Sequence, residues 1–438
     1  MEDKKFTTDQ VFGISRALPL NYVPRAYVDE KFINCLAREK HLVIYGSSKQ
    51  GKTSLRKHCL SENDYIVVHC SNKWELEHLN EAILKQAGYE ITLSSEKASS
   101  GSRKIFATIK TSLLGSGASG GAAHTKTDSI KDTTAPLELD PCDVNDIIKA
   151  LNSIEFNKYI ILEDFHYLTT EAQTDFSVAL KAFHENSSLC FIIIGVWLEE
   201  NRLTVFNGDL TGRVLSINAD RWDEEDLKEV IRLGEELLHI TFENNFKRYI
   251  LNNCFDSVHI IQEACRQCCE EEGIFSTQLT DEPIEIGKGI SPRDLIKKVV
   301  NEQGGRFNSF LNQFSEGFQS TELEMFRWLL FPIITAPIKI LSNGIKQSSI
   351  RRELMAIHPR GSELNPGNVT QALQSCSSLQ VKKDIKPIIL DYDQTNLSLS
   401  VVDKSFLIWL ENQDKDSLLQ AIGLPTEQEA KKQRNLHF

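Results

Sequence analysis

The sequence has no apolar run long enough to cross a bilayer. Its longest candidates, "CFIIIGVWL" (190–198) and "WLLFPIITAPI" (328–338), are short or interrupted by proline, whereas a spanning helix needs about 20 apolar residues. No membrane partner is therefore expected. The opening "MEDKKFTTDQ" has neither an apolar core nor a small-residue cleavage site, so no export signal is expected. Positive charge is in deficit: 49 Lys and Arg face 61 Asp and Glu, a formal net charge of −12. Such a chain is not drawn as a whole to a phosphate backbone, and any nucleic-acid contact needs a local basic patch. The ten cysteines show no disulfide-framework spacing. Reduced thiols and a cytoplasmic location are the expectation. "CRQCC" (Cys265, Cys268, Cys269) reads as one buried helix face or as metal ligands, and no Cys/His pair follows it at finger spacing. No internal repeat is evident, and no nuclease, protease or other effector signature is visible.

What remains is ordinary globular material, 41% hydrophobic and 25% charged over 438 residues, enough for two or three domains. Apolar runs at Leu42–Tyr45, Asp64–Cys70, Lys158–Asp164, Leu189–Trp197 and Val214–Trp222 alternate with segments of helical spacing. That alternation predicts a parallel sheet covered by helices on both faces. Residues 93–140 interrupt it with Gly, Ser, Ala and Thr, and read as a flexible insertion. The insertion is either a solvated linker or, through Arg103, Lys104, Lys110, Lys126 and Lys131, a partner or nucleic-acid loop. The domain reading is an N-terminal segment (1–40), a core (41–222), a helical lid (223–318), a small domain (319–412) and a polar tail (413–438) that is helical in pattern and expected to fray. In the small domain, helical segments precede two strand candidates, "PIILDYD" and "LSLSVVD", joined by "QTN". That is the element order of a winged helix.

"HLVIYGSSKQGKTSL" carries the sharpest signal. Gly46-Ser47-Ser48-Lys49-Gln50-Gly51-Lys52-Thr53 fits G-x-x-x-x-G-K-[ST], after an apolar strand and before a helix that continues through Ser54. The glycines let backbone amides turn toward phosphate oxygens, and the helix adds its positive end. Lys52 is placed to neutralise the terminal phosphates of ATP, and the Thr53 hydroxyl to ligate Mg²⁺. "YIILED" supplies carboxylates, Glu163 and Asp164, at a strand end, where ligands sit on open parallel sheets. Glu163 is expected to hold Mg²⁺ and Asp164 to polarise the attacking water. Most such sites read Asp then Glu. The reversed order is compatible with slow hydrolysis.

These two motifs resemble the AAA+ and signal-transduction branch of P-loop ATPases, and within it the origin-recognition-type and NACHT/NB-ARC-type (STAND) proteins. The resemblance implies an α/β P-loop NTPase sheet with a helical lid, followed by an α+β winged-helix domain. "YVPRAYVDEKFINCL" is similar to the family's "V-x-R-E" segment, which would put Val23 and Arg25 near the base and ribose. "GDLTGRVLSINADRW" is similar to the segment carrying the arginine finger, which implies Arg213 acting in a neighbouring subunit; a surface arginine is the plainer alternative. "DSVHIIQEA" places His259 at the lid's sensor position, either as a packed residue or as a phosphate contact. "VVDKSF" matches the STAND "M-H-D" motif in Asp403 but has Val402 in place of histidine. Strand four lacks the family's sensor polar residue, with Gly195 and Trp197 near that place and Asn201 as a substitute. The resemblance implies an ATP-hydrolysing switch, homo-oligomeric, that controls a separate effector protein, a type common in bacterial antiviral defence. The alternatives are an ATPase acting on DNA and a nucleotide-binding scaffold with little hydrolysis. In the winged helix, Lys382 and Lys383 come only at the end of the candidate recognition helix, which favours protein contact over DNA reading.

Overall fold

In the computed structural model, residues 5–13, 17–98, 100–101, 103–109 and 136–436 are described. Lys110, Lys126 and Lys131 lie outside them. The strands, in chain order, begin with β1 (His41–Tyr45), β2 (Tyr65–His69), β3 (Tyr89–Lys97), β4 (Arg103–Ile109) and β5 (Leu137–Leu139). There follow β6 (Tyr159–Glu163), β7 (Phe191–Ile194), β8 (Val214–Asn218), β9 (Ile240–Phe242) and β10 (Ile284–Ile286). The last three are β11 (Ile345–Lys346), β12 (Leu390–Asp393) and β13 (Ser398–Val401).

The central sheet runs β2-β6-β7-β1-β8, parallel throughout. Every residue of β1 is buried, as expected for a strand covered on both faces. Val43 and Tyr45 join the core on one side, Leu42 and Ile44 the core on the other, which is the two-residue alternation of a pleated strand. The parallel strands bring their C-terminal ends to one edge.

Part of the expected 93–140 insertion is regular structure. β3, β4 and β5 form an antiparallel sheet in the order β3-β4-β5, with Tyr89 opposite Ile109 and Ile105 opposite Leu139. The alternation in "RKIFATI" buries Ile105 and Ala107, a period-two signal that the surrounding small residues obscure. The tail is helical, as its sequence pattern reads, but apolar side chains seat it on the body. Helices Lys415–Ala421 and Glu427–Leu436 are formed, and Leu419, Ile422, Leu424 and Ala430 are buried. Four apolar anchors are enough to seat an otherwise polar segment.

The lid contains helices Glu224–Leu238, Asn244–Asn253, Val258–Glu271, Pro292–Asn301 and Gly304–Glu316, with β9 and β10 paired in parallel. Cys265, Cys268 and Cys269 are buried in its core, and burial pushes their thiols above the ordinary range. One apolar core runs from the lid into the C-terminal domain. There, β11 lies between the helices Ile338–Asn343 and Gln347–Ile357, β12 and β13 follow the helix Cys376–Lys382, and the three strands form a sheet in the order β11-β13-β12.

This α+β domain folds back over the edge of the central sheet. Val381, Ile388 and Val402 pack with Val196 of the core, flanked by Tyr167 and Leu198. The Arg202 guanidinium donates to both oxygens of Asp391, at 2.9 and 3.2 Å. Their side chains are 13% and 3% exposed, so solvent screens the pair little. Thr395 donates to Glu199 at 2.6 Å, and Asn72 to the Val381 carbonyl at 3.3 Å.

Removing one partner of a buried ion pair strands the other charge. Arg202→Ala is expected to cost about 3 kcal/mol in urea unfolding. Arg202→Met/Asp391→Leu is expected to recover at least half of that, since no uncompensated charge remains. A single-variant loss below about 0.5 kcal/mol, as for surface pairs, would contradict the docking described.

Candidate functional site: a phosphate loop closed by the C-terminal domain

The loop between β1 and the helix Lys52–Cys59 lies at the C-terminal edge of the sheet. Gly46 has φ +143°, and a Cβ there would meet Asp220 Oδ1 at 2.8 Å. Gly51 caps the helix with φ 82°, a conformation that favours glycine. Lys49, between them, is also left-handed at φ 61°. The first-turn amides of the following helix have no partners within it, which leaves them for an anion.

The donors of the loop bind the protein's own oxygens. The Ser47 amide and hydroxyl each donate to the Asp220 carboxylate at 2.6 Å. Lys52 donates to the carbonyl of Gly46 at 2.9 Å and to that of Ser47. Burial lowers the Lys52 ammonium to about 8, against the opposing pull of Asp220, Glu163 and Asp164. The Ser48 amide donates to the Val402 carbonyl of the C-terminal domain at 3.0 Å. The C-terminal domain thus touches the loop through a backbone carbonyl, at the position where the motif has histidine.

Glu163 closes β6 and Asp164 follows it in the left-handed region, φ 60°. Both line the cavity over the loop, about 360 Å³, together with Lys52, Thr53 and Ser54. β7 stands between β6 and β1, so the acids come from one strand further away than the adjacent one. Arg56 holds Glu163 at 3.1 Å, both side chains 7% exposed. Burial raises the Glu163 and Asp164 carboxyls; Arg56 chiefly opposes this at Glu163, His69 and Lys52 at Asp164. A hydroxyl beside carboxylates is an oxygen donor set of the kind Mg²⁺ takes.

The remaining expected residues separate into two groups. Val23 lines the apolar end of the cavity with Phe12, Val230 and Val258. There Asn21 and Gln262 exchange amide hydrogen bonds at 2.9 and 3.0 Å. His259 faces the loop, its Nε2 accepting from Lys49 Nζ at 3.2 Å. Burial, then Lys49, lowers this imidazole to about 3, so it is neutral. Lys49 also donates to Gln303, and Gln303 and Asp403 both accept from Arg306. Gln50 and Ser48 line the same cavity.

Arg25 and Arg213 are not brought to it. Arg25 stacks on Trp222 at 4.0 Å and donates to the carbonyls of Ala219 and Arg221, both at 2.9 Å. It braces the chain after β8 from beneath. Arg213 precedes β8, and its carbonyl accepts from the amide of His41, the first residue of β1. That is the sheet edge opposite the loop, where Glu185 takes its guanidinium at 2.7 Å. Sequence reading missed Asp220, Arg56 and the Val402 carbonyl. Asp220 alone left a trace, as an acid two residues past a strand.

A phosphate loop at the end of a central parallel strand, with acids one strand removed, is the P-loop NTPase fold. Solved structures of low identity align with the chain over most of their length. They include the Walker-type ATPase of Pyrococcus abyssi (12% identity, 90% of this chain and 99% of that one, TM-score 0.48). The ORC1 protein of Aeropyrum pernix, solved with DNA, is 9% identical over 96% of this chain and 97% of its own, TM-score 0.45. Cdc6p from Pyrobaculum aerophilum is 12% identical, covering 97% and 98%, TM-score 0.37. No protein-family model and no curated sequence matches the chain.

The buried lysine gives anion binding a pH signature. Burial holds its ammonium at about 8; an anion favours the charged form and raises that value. Below pH 8 the lysine is already charged and affinity is flat. Above it, binding must take up a proton, and affinity falls by up to about tenfold per pH unit. Calorimetry with sulfate, which does not itself titrate in this range, from pH 6.5 to 9.5 in buffers of different ionisation enthalpy, tests this. Flat affinity without proton uptake at pH 9 would contradict it.

Proposed function

We propose that the chain is an ATP-binding, ATP-hydrolysing switch in which the C-terminal domain rests on the phosphate loop and moves with nucleotide state. One observation carries the reading: Ser48 of the loop donates directly to Val402 of that domain. Phosphate and domain then act on the same loop. Lys49, Gln303, Arg306 and Asp403 extend the link through the lid.

In this reading Lys52 and the helix Lys52–Cys59 hold the phosphates, and Val23, Asn21 and Gln262 surround the base. Thr53 and Glu163 hold Mg²⁺, which supplies charge neutralisation at the phosphates. Asp164 polarises the attacking water. Arg213 completes the site of a neighbouring copy, which requires a homo-oligomer. The switch acts on a separate effector protein. A role in antiviral defence follows from the STAND resemblance alone.

The charges of the C-terminal domain favour a protein partner over DNA. Lys383 is paired with Glu316, and Arg360 with Glu322 and Glu363. Lys382 lies over the ring of Phe318. These cations are already engaged, whereas phosphate-backbone binding needs cations that can neutralise it.

Lys52→Ala is expected to weaken ATP binding about ten- to a hundredfold, the worth of charge-assisted bonds, without loss of folding. Glu163→Gln is expected to lower Mg²⁺-dependent affinity, and Asp164→Asn to leave ATP bound but uncleaved. Affinity measured beside turnover separates them; exchanged phenotypes would reverse the two roles. Tight Mg-ATP binding by folded Lys52→Ala would defeat the site assignment.

Arg213→Ala is expected to bind ATP normally and to hydrolyse it slowly. Mixed with Lys52→Ala it should regain turnover, because one copy keeps the pocket and the other the finger. Co-assembly is checked first by crosslinking. Mixed oligomers no more active than the separate variants would remove Arg213 from the mechanism.

A further inference from the structure

The corner beside the terminal-phosphate region is poor in polar side chains from the strand that borders it. β7 runs out as Ile194-Gly195-Val196-Trp197, and Trp197 is fully buried. His166 enters the same corner from the turn Phe165–Tyr167 that follows Asp164. It is 4% exposed and lines the cavity with Lys52, Glu163, Asp164 and Gly195.

The chemistry of this imidazole is fixed by its neighbours. The Val196 backbone amide donates to Nδ1 at 3.2 Å. An amide N–H cannot accept, so Nδ1 presents its lone pair. Burial, then the charges of Lys52 and Arg202, keep the ring neutral, and its one proton is on Nε2. Nε2 has no hydrogen-bond partner among the described residues. A buried donor left unpaired costs about 1–3 kcal/mol, and such a group in a folded protein calls for a partner in some state. Lys52 borders the nucleotide cavity, and Arg202 borders a second cavity, about 490 Å³, between core and C-terminal domain; His166 lines both.

We propose that the Nε2–H of His166 donates to a terminal-phosphate oxygen of a bound nucleoside triphosphate and so distinguishes triphosphate from diphosphate. The inference rests on the ATP reading above and assigns one residue within it. Lys52 supplies charge, which also favours a diphosphate. A neutral, directional donor adds affinity only where an oxygen stands in line with it. The ring is anchored to the end of β7 by Val196, and the next residue, Tyr167, flanks the apolar contact made by Val381, Ile388 and Val402. Occupation of the third phosphate position is thereby registered one residue from the face on which the C-terminal domain rests.

The test compares a non-hydrolysable ATP analogue with ADP on the full chain. In wild type the triphosphate is expected to bind more tightly. His166→Phe should weaken triphosphate binding about tenfold or more and leave ADP within about twofold, the range for one hydrogen bond to a charged group. His166→Gln, which keeps a donor, should recover part of the difference. In wild type with ¹⁵N-labelled histidine, the His166 Nε2 resonance should move with the triphosphate and not with ADP; this measurement decides alone if the phenylalanine variant does not fold. An unchanged affinity ratio in folded His166→Phe, or an Nε2 resonance that responds equally to both ligands, overturns the inference and leaves the ATP site standing. Failure of the wild-type chain to bind either nucleotide overturns both.

Discussion

The Ser48 amide donates across a domain boundary to Val402, and this bond constrains the rest of the arrangement. It fixes the phosphate loop from above while Asp220 fixes it from the side. Buried amides and carboxylates must be paired, so the loop cannot stand open and empty at no cost. It is satisfied by the protein's own oxygens, from Asp220, from Gly46 and Ser47, and from Val402. An incoming phosphate brings oxygens of the same kind to the same donors. Competition between internal and external oxygens couples ligand binding to domain position without any long-range pathway.

The apolar and ionic contacts set the scale of that competition. Val196, Val381, Ile388 and Val402 form a small apolar seal, and Arg202–Asp391 adds one buried, two-pronged ion pair. A contact of this size can hold a domain yet be released by a ligand that prefers the released form. On the proposed reading ATP shifts the equilibrium only by its difference in affinity for the two forms. By the same linkage, a docked C-terminal domain lowers ATP affinity by an equal factor. The neutral His259 against Lys49, and Asp403 against Arg306, put polar groups of the lid and the C-terminal domain in one connected set.

Local features of this fold were legible in the sequence, and contacts between distant segments were not. β1, the phosphate loop and Glu163-Asp164 are each contained within a dozen residues, and their apolar runs and glycines report the backbone directly. β4 was hidden by the polar and small residues around Ile105 and Ala107, and the anchoring of the helical tail by those around Leu419 and Ala430. Val402 was misleading in a different way. The motif directs attention to the side chain at this position, whereas the contact with the loop uses the backbone carbonyl, which every residue has. Arg25 matched a family pattern, but its position depends on Trp222, nearly two hundred residues away. Asp220 and Arg56 likewise acquire their roles only when the sheet brings β8 and β6 beside the loop.

Hydrogen exchange over the segments 46–51 and 396–405, with Mg-ATP, with ADP and without nucleotide, tests the coupling most directly. If phosphate and Val402 compete for the loop, the triphosphate alters exchange in both segments together, and the C-terminal segment becomes less protected as its domain is released. Protection of the phosphate loop by ATP with no change at 396–405 would contradict the account, because loop and domain would then be independent.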